Sequence, residues 1–156
     1  MLTLAGCGLV GSEEPVDGHY AFANAFGYVE TVVVQNGGFE ELRFEVTGTL
    51  TLQEGDGSVT GNGSCTRTTI STVQPEDIET RTEVTDTATF SGLRSGSSLT
   101  GVRLAGCAFP RPMFGSIEKG RLVLNTDLDF PVSRGTTVIS DRFGDPKRLV
   151  LTRSGS

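Results

Sequence analysis

Cysteine and histidine are the residue types in this 156-residue chain with the widest chemistry, and they are few. The cysteines are Cys7, Cys65 and Cys107, and His19 is the single histidine. No CxxC pair occurs, and His19 is far from two of the cysteines in sequence, so a zinc site would need carboxylates to complete it. No GxSxG or GxxxxGK motif is present. We therefore expect no metal site, no cofactor and no enzymatic activity.

The segment around the first cysteine reads LAGC at positions 4–7, and a stretch rich in glycine, serine and acidic residues follows it. The LAGC segment resembles the lipobox of bacterial lipoproteins, in which the chain is cut before the cysteine and the thiol receives a diacylglycerol. The resemblance implies that residues 1–6 are the remnant of a signal peptide that begins upstream. It also implies that residues 7–16 are the lipidated cysteine and a flexible tether. The alternative is a chance LAGC at the start of a cytosolic protein.

The same resemblance predicts where the protein resides. An aspartate directly after the cysteine usually signals retention in the inner membrane of Gram-negative bacteria, and Gly8 stands there instead. We therefore expect an exported protein of the cell envelope, held by Cys7 at the outer membrane and facing the periplasm or the cell surface. Two or three acyl chains, as mature lipoproteins carry, give firm membrane attachment, whereas one chain gives only marginal binding.

The other two cysteines, Cys65 and Cys107, remain unassigned if Cys7 is lipidated. An exported chain leaves the reducing cytosol, so we expect these two residues to form a disulfide. The bond would close a loop of about 40 residues, which stabilises a fold by up to about 4 kcal/mol in the chain-entropy description. The alternative is a pair of buried free thiols.

Charge and hydropathy exclude several kinds of partner. The formal net charge is −6 and the sequence pI is about 4.8. Binding to a phosphate backbone needs a basic face, so we expect no nucleic-acid partner. The sequence also lacks an apolar run of about 18 residues, so no transmembrane helix is predicted.

Composition and periodicity predict an all-β fold. Glycine accounts for 21 residues, and β-branched threonine is about as frequent. Turn signals separate eight predicted strands, and no helical crossover lies between them, so we expect antiparallel pairing. The predicted strands are Asp17–Phe22, Tyr28–Gln35, Glu41–Gln53, Ser58–Ile70, Glu79–Phe90, Leu99–Ala105, Gly120–Asn125 and Lys147–Arg153.

The third of these strands has the clearest alternation. Its apolar residues occupy even positions, which predicts one dry and one wet face, and Gly48 lies in the dry phase as an expected bend or bulge. The long strand and the in-strand glycines favour a single up-and-down barrel of about eight strands, because a barrel leaves no open sheet edges. A two-sheet β-sandwich is the alternative.

The layout of residues 17–153 resembles a lipocalin-like (calycin-type) β-barrel domain of bacterial lipoproteins, with residues 154–156 as a short tail. The similar segments are Gly18–Phe22, Gly48–Leu52, Thr89–Gly92 and Arg148–Arg153. This resemblance implies a barrel that holds a small apolar ligand of unknown identity. It brings no catalytic residues with it.

A ligand-binding barrel would be lined by inward-facing apolar residues and by a loop at its mouth. The expected lining residues are Phe44, Leu50, Leu52, Val84 and Phe90, and the segment FPRPMF adds Phe109, Met113 and Phe114. The segment could equally fold over the barrel end, tied down by the disulfide. A second function is compatible with the same fold, because an eight-stranded barrel can be filled by its own side chains. The protein would then be a structural lipoprotein that contacts a protein partner through its loops.

Overall fold

The computed structural model of the protein describes residues 13–30, 38–107, 109, 111–126, 137–138 and 147–155. These residues form nine β-strands: β1 (Gly18–Glu30), β2 (Phe39–Gly55), β3 (Ser58–Gln74), β4 (Ile78–Ser95), β5 (Ser98–Ala105), β6 (Met113–Glu118), β7 (Arg121–Asn125), β8 (Thr137–Val138) and β9 (Arg148–Arg153). Within the described ranges no helix is long and apolar enough to span a membrane.

The strands close into one antiparallel up-and-down barrel. Strands β1 to β7 pair with their neighbours in chain order, β9 pairs with β7, and β1 pairs with both β9 and β2 to complete the circle. The short strand β8 lies outside the eight-stranded circle and pairs with the far end of β1. The predictions of an all-β fold and of a barrel are therefore confirmed, and the sandwich is not formed.

The first strand differs from its prediction. The sequence predicts two strands, Asp17–Phe22 and Tyr28–Gln35, whereas β1 runs from Gly18 to Glu30 without a break. It pairs with β2 in one unbroken register, from Gly18 opposite Leu52 to Glu30 opposite Glu40. The segment between the predicted strands contains small residues, and pairing along the whole length of β2 holds them extended. Residues 31–35 lie outside the described residues.

Gly48 is required by close packing. Strand β2 keeps one register with β1 and with β3 through this position, so the predicted bulge is absent. A Cβ atom at Gly48 would lie 2.4 Å from Cζ of Phe22 and 2.5 Å from the carbonyl oxygen of Ser64. Glycine therefore leaves room for the Phe22 ring to cross the strand inside the barrel.

The inward-facing side chains form one hydrophobic core. Every barrel strand contributes to it: aromatic residues come from β1 and β4, leucines from β2, β5, β7 and β9, Val59 and Cys65 from β3, and Met113 from β6. The twelve largest of the almost completely buried side chains are Val16, Tyr20, Val46, Leu50, Leu52, Val59, Leu99, Leu104, Leu122, Leu124, Leu149 and Leu151. Burial of each such side chain contributes about 1.5–3 kcal/mol, so this core is the main source of stability.

Residues that precede β1 close the lower end of the barrel. Val16 is fully buried, and its carbonyl oxygen accepts a hydrogen bond of 2.9 Å from the Tyr20 hydroxyl. The Glu14 carboxylate accepts a hydrogen bond of 2.6 Å from the backbone N–H of Gly120, in the β6–β7 turn. Glu14 and Val16 thus contact the barrel, although the sequence predicts a flexible tether over residues 7–16.

At the upper end, β2, β3 and β4 extend far beyond β5, β6, β7 and β9, and β1 accompanies β2 as far as Glu30 opposite Glu40. Pairing between β4 and β5 stops at Thr89 opposite Ala105, while β2, β3 and β4 remain paired with each other up to Phe39, Gln74 and Ile78. We call this extension the wing, and it comprises residues 39–47, 66–74 and 78–87. At about 3.3 Å per residue, the ten wing residues of β4 reach about 30 Å beyond the barrel.

Candidate functional site at the barrel mouth and wing

A shallow groove lies on the inward face of the wing, where the wing joins the barrel. Directly paired residues of neighbouring strands share a face, so the register places two rows of side chains side by side across β2, β3 and β4. The groove has a volume of about 210 Å³. The two rows are Val46, Arg67 and Val84, and Phe44, Thr69 and Thr82.

The apolar part of the groove is anchored on an aromatic pair. The rings of Phe26 and Phe44 stack with their centroids 5.3 Å apart and an interplanar angle of 22°. Phe26 is buried, and Phe44 is half-buried with part of its surface open to the groove. The stack holds the Phe44 ring in place and leaves apolar surface available to a bound molecule.

Arg67 supplies the charge in the groove. Its Nη2 lies 3.0 Å from Oδ2 of Asp86, and the two side chains are 42% and 46% exposed. Its Nε is buried, and no described residue accepts a hydrogen bond from it. The exposed part of the guanidinium could donate a hydrogen bond to an acceptor atom of a bound molecule. The groove can therefore accommodate an apolar body together with a hydrogen-bond acceptor.

The predicted lining residues separate into two groups. Leu50, Leu52 and Phe90 are 1%, 1% and 2% exposed and belong to the core of the barrel. Phe44 and Val84 lie in the groove above that core, and Val84 is 42% exposed. The prediction that all five line one lumen is therefore wrong. The alternation indicates the correct face for each residue but not how far along the strand the barrel remains closed.

The disulfide predicted between Cys65 and Cys107 is present and closes the upper mouth of the barrel. Cys65 is fully buried on the inward face of β3, and its Cα lies 5.7 Å from that of Cys107, which follows β5. Gly106 makes this crossing possible, because a Cβ there would lie 2.0 Å from the carbonyl oxygen of Thr87 and its φ is +80°. The bond thus draws the chain after β5 across the mouth.

The segment FPRPMF contributes to the core and to the surface. Phe109 and Met113 are 6% and 2% exposed and join the core next to the disulfide. Phe114 faces outwards from β6 and is 63% exposed. Phe109 and Met113 therefore follow the alternative in which the segment folds over the barrel end. Phe114 therefore lies on the outer surface and not in the core.

Arg94 holds the lower end of the barrel together, opposite the groove. Its side chain is only 5% exposed and forms an ion pair with Glu54. It also donates hydrogen bonds of 2.8 Å to the carbonyl oxygens of Glu14 and Gly96. These contacts join the segment before β1 to two hairpin turns. Both mouths of the barrel are thus covered by parts of the same chain.

Sequence reasoning missed Arg67, Thr69 and Thr82 as groove residues and Arg94 as the clamp at the lower end. Arg67 is two residues after the inward-facing Cys65 in β3, so the alternation of the strand indicates that Arg67 also faces inwards. No comparable signal exists for Arg94, because two of its partners, Glu14 and Glu54, come from distant parts of the chain. His19 lies on the outer surface, where its Nδ1 is 2.9 Å from the Thr51 hydroxyl.

Comparison with known proteins identifies no relative of this chain. No family model matches it, no curated protein matches it, and no solved structure matches it. Among the described residues, no cluster of three or more histidine, cysteine or acidic side chains could hold a metal ion. The function must therefore be inferred from the geometry of this molecule.

Proposed function

We propose that the protein is a lipid-anchored lipoprotein of the cell envelope that presents its wing to a protein partner. The observation that carries this proposal is the exposure of strand β4 in the wing. All ten residues of β4 from Ile78 to Thr87 are exposed, although five of them share the inward-facing phase of the core. The barrel beneath the wing is filled by large side chains and covered at both mouths. An exposed projection on a filled barrel is typical of a contact surface.

The position of the anchor is consistent with this function. The described chain starts at Glu13, at the lower end of the barrel, and the wing projects from the opposite end. Six residue steps separate Cys7 from Glu13, and an extended chain of that length spans at most about 20 Å. A lipid on Cys7 would therefore keep the lower end near the membrane and direct the wing away from it.

Mass spectrometry of the protein from its own cells tests the anchor. We expect the membrane fraction to yield an N-terminal peptide that starts at Cys7 and carries a diacylglyceryl group. A Cys7→Ser variant should move to the soluble fraction of the envelope. An unmodified Cys7 in a cytosolic protein would contradict the proposed location.

Photo-crosslinking in intact cells tests the contact surface. A benzoylphenylalanine at Thr82 in the wing should give one discrete cross-linked protein species. The same group at Thr60, on the exposed outer face near the lower end, is the matched control and should give none. Equal labelling from both positions, or none from either, would contradict a contact through the wing.

The groove supports a second candidate function, the binding of a small apolar ligand. The specific observation is that Phe44 and Val84 both line the groove beside Arg67, whose side chain is 42% exposed. Native mass spectrometry of the exported protein should then show an adduct that is lost on activation. Val84→Arg should remove the adduct, while Leu93→Arg, at an exposed position near the lower end, should retain it. If the parent protein and both variants show only the mass of the polypeptide, ligand binding is excluded.

A further inference from the structure

The edge of strand β4 in the wing is an open pairing surface. Its β3 side is paired continuously from Ile78 opposite Val73 to Asp86 opposite Cys65. On its other side, β5 begins to pair only at Thr89, and no described strand pairs with residues 78–87. All ten residues are exposed, and among the described residues no strand covers this edge. Such an edge presents a row of backbone donors and acceptors to another strand.

We propose that this edge pairs with the same edge of a second copy of the chain, so that two wings form one continuous antiparallel sheet. The proposal deepens the proposed function, because it names the partner of the wing and rests on the wing being the contact surface. Thr82 of one copy lies opposite Thr82 of the other. Arg81 and Glu83 lie on either side of Thr82, and this self-complementary charge pattern is the reason for proposing a second copy as the partner.

Symmetry limits the possible registers. In a symmetric antiparallel pair, one residue must face its own counterpart, and that residue determines every other pairing. Centring on Arg81 would place two arginines opposite each other, and centring on Glu83 would place two glutamates opposite each other. Centring on Thr82 instead places Arg81 of each copy opposite Glu83 of the other. Opposite charges at directly facing positions stabilise a strand pair, and like charges destabilise it.

The side chains are positioned to make these contacts. Arg81 and Glu83 lie on the same outer face, opposite Ile70 and Thr68 of β3. The Arg81 side chain is 54% exposed, and its nearest ion-pair contact, to Glu45, is long at 4.0 Å. Arg81 is thus accessible to a carboxylate from a second copy.

The inward face of the paired edges is also compatible with this register. Thr80 of one copy would lie opposite Val84 of the other, and both residue types favour strands. Ile78 is 60% exposed and Val84 is 42% exposed. In this register they become diagonal neighbours across the pair, within reach of each other. The two grooves, each lined in part by Thr82, would then meet at the symmetry axis.

Site-directed cysteines test the register directly. In a Cys7→Ser background, Thr82→Cys should form an intermolecular disulfide under mild oxidation, because directly opposite Cα atoms lie within the range that a disulfide spans. Val84→Cys is the matched control. In this register, position 84 of one copy would face Thr80 of the other and would lie four residues from position 84 of the second copy, so little cross-linking is expected. Cross-linking of both variants at the same rate, or of neither, would overturn the proposal.

Charge reversal tests the recognition. Analytical ultracentrifugation should show a concentration-dependent dimer, and Arg81→Glu or Glu83→Arg alone should raise its dissociation constant about tenfold. The double variant Arg81→Glu/Glu83→Arg should restore the dimer, because it exchanges the charges without changing their complementarity. Glu79→Arg, which would face Thr85, should have little effect. Circular dichroism controls for folding of each monomer.

The two proposals can fail separately. A protein that stays monomeric at its highest soluble concentration, while Thr82 cross-links to a different protein in cells, would overturn the dimer and retain the wing as a contact surface. A dimer that survives Arg81→Glu and is not restored by the double variant would overturn this register. A dimer in the proposed register with unlipidated Cys7 would retain this inference and remove the membrane anchor.

Discussion

The lower and upper halves of strands β2, β3 and β4 have the same alternating pattern but different surroundings. In the lower half, inward-facing residues such as Leu52, Val59 and Phe90 are at most 2% exposed. In the wing, Ile78 and Val84 occupy the same inward phase and remain largely exposed. The pairing among the three strands is continuous across both halves, so pairing is not the cause of the difference.

Closure by the remaining strands is the cause. Strands β5, β6, β7 and β9 cover only the lower half, and their leucines complete the core there. Ile78 and Val84 lie beyond that cover and stay exposed, because removal of apolar surface from water requires a facing surface, whereas Val46, at the base of the wing on β2, still belongs to the core. The lower half of the barrel thus supplies the stability, and the wing is available for contact.

The largest expected difference between the two halves comes from truncating a core leucine. Leu124→Ala removes a fully buried side chain from β7 and should lower the free energy of unfolding by about 2–5 kcal/mol. Val84→Ala, in the wing, should change it by less than about 0.5 kcal/mol. Urea denaturation measures both values. Similar losses for the two variants would mean that the wing is packed as tightly as the barrel.

Removing the disulfide should have the next largest effect. Cys65 and Cys107 are 42 residues apart, and loss of the bond should lower the free energy of unfolding by up to about 4 kcal/mol. Denaturation of the Cys65→Ala/Cys107→Ala variant measures this effect, and a reductant should destabilise only the parent protein. Cys7→Ser is the control and should leave stability unchanged. An equal response of parent and variant to reductant would show that the bond is not formed in solution.

Arg94→Met tests the clamp at the lower end. The substitution leaves the Glu54 carboxylate and the carbonyl oxygens of Glu14 and Gly96 without their guanidinium donor. Because the Arg94 side chain is nearly buried, we expect a loss of about 1–3 kcal/mol in the free energy of unfolding. Hydrogen exchange should also increase at the backbone amide of Gly120. An unchanged protection pattern would argue against the clamp.

The matched substitution in the wing, Arg67→Met, should have the smallest effect. Arg67 and Asp86 are both almost half exposed, and an exposed ion pair contributes at most about 1 kcal/mol. Its contribution should decrease further with added salt, since ions screen exposed charges. Thermal unfolding at low and high ionic strength measures this. A loss as large as that of Arg94→Met would show that the groove is dry and closed in solution.

Local patterns in the sequence were sufficient to predict much of the fold. Alternating apolar and polar residues in β2 and in the lower half of β4 place the correct side chains inwards, because side chains of a strand point alternately to its two faces. Glycine and the acidic turn at Glu54–Gly57 indicate where β2 ends and β3 begins. The pairing of Cys65 with Cys107 also followed from the sequence, once Cys7 was assigned to a lipid.

The candidate site was only partly predictable. Phe44 and Val84 were identified from their phase, but Arg67, Thr69 and Thr82 were not, since hydrophobicity alone does not mark polar groove residues. The continuous strand Gly18–Glu30 was divided in two, because small residues in its middle give no strand signal on their own. Pairing with the whole of β2 overrides that local weakness.

The face of most strand residues, several turns and the pair of bonded cysteines can be inferred from the sequence, because these features depend on neighbours along the chain and on residue chemistry. Only the tertiary structure decided which inward-facing residues are buried. Phe90 is in the core and Val84 is exposed, although both lie in the same phase of β4. The physical reason is that burial depends on where the shorter strands end, and that limit is determined by pairing between residues far apart in the chain.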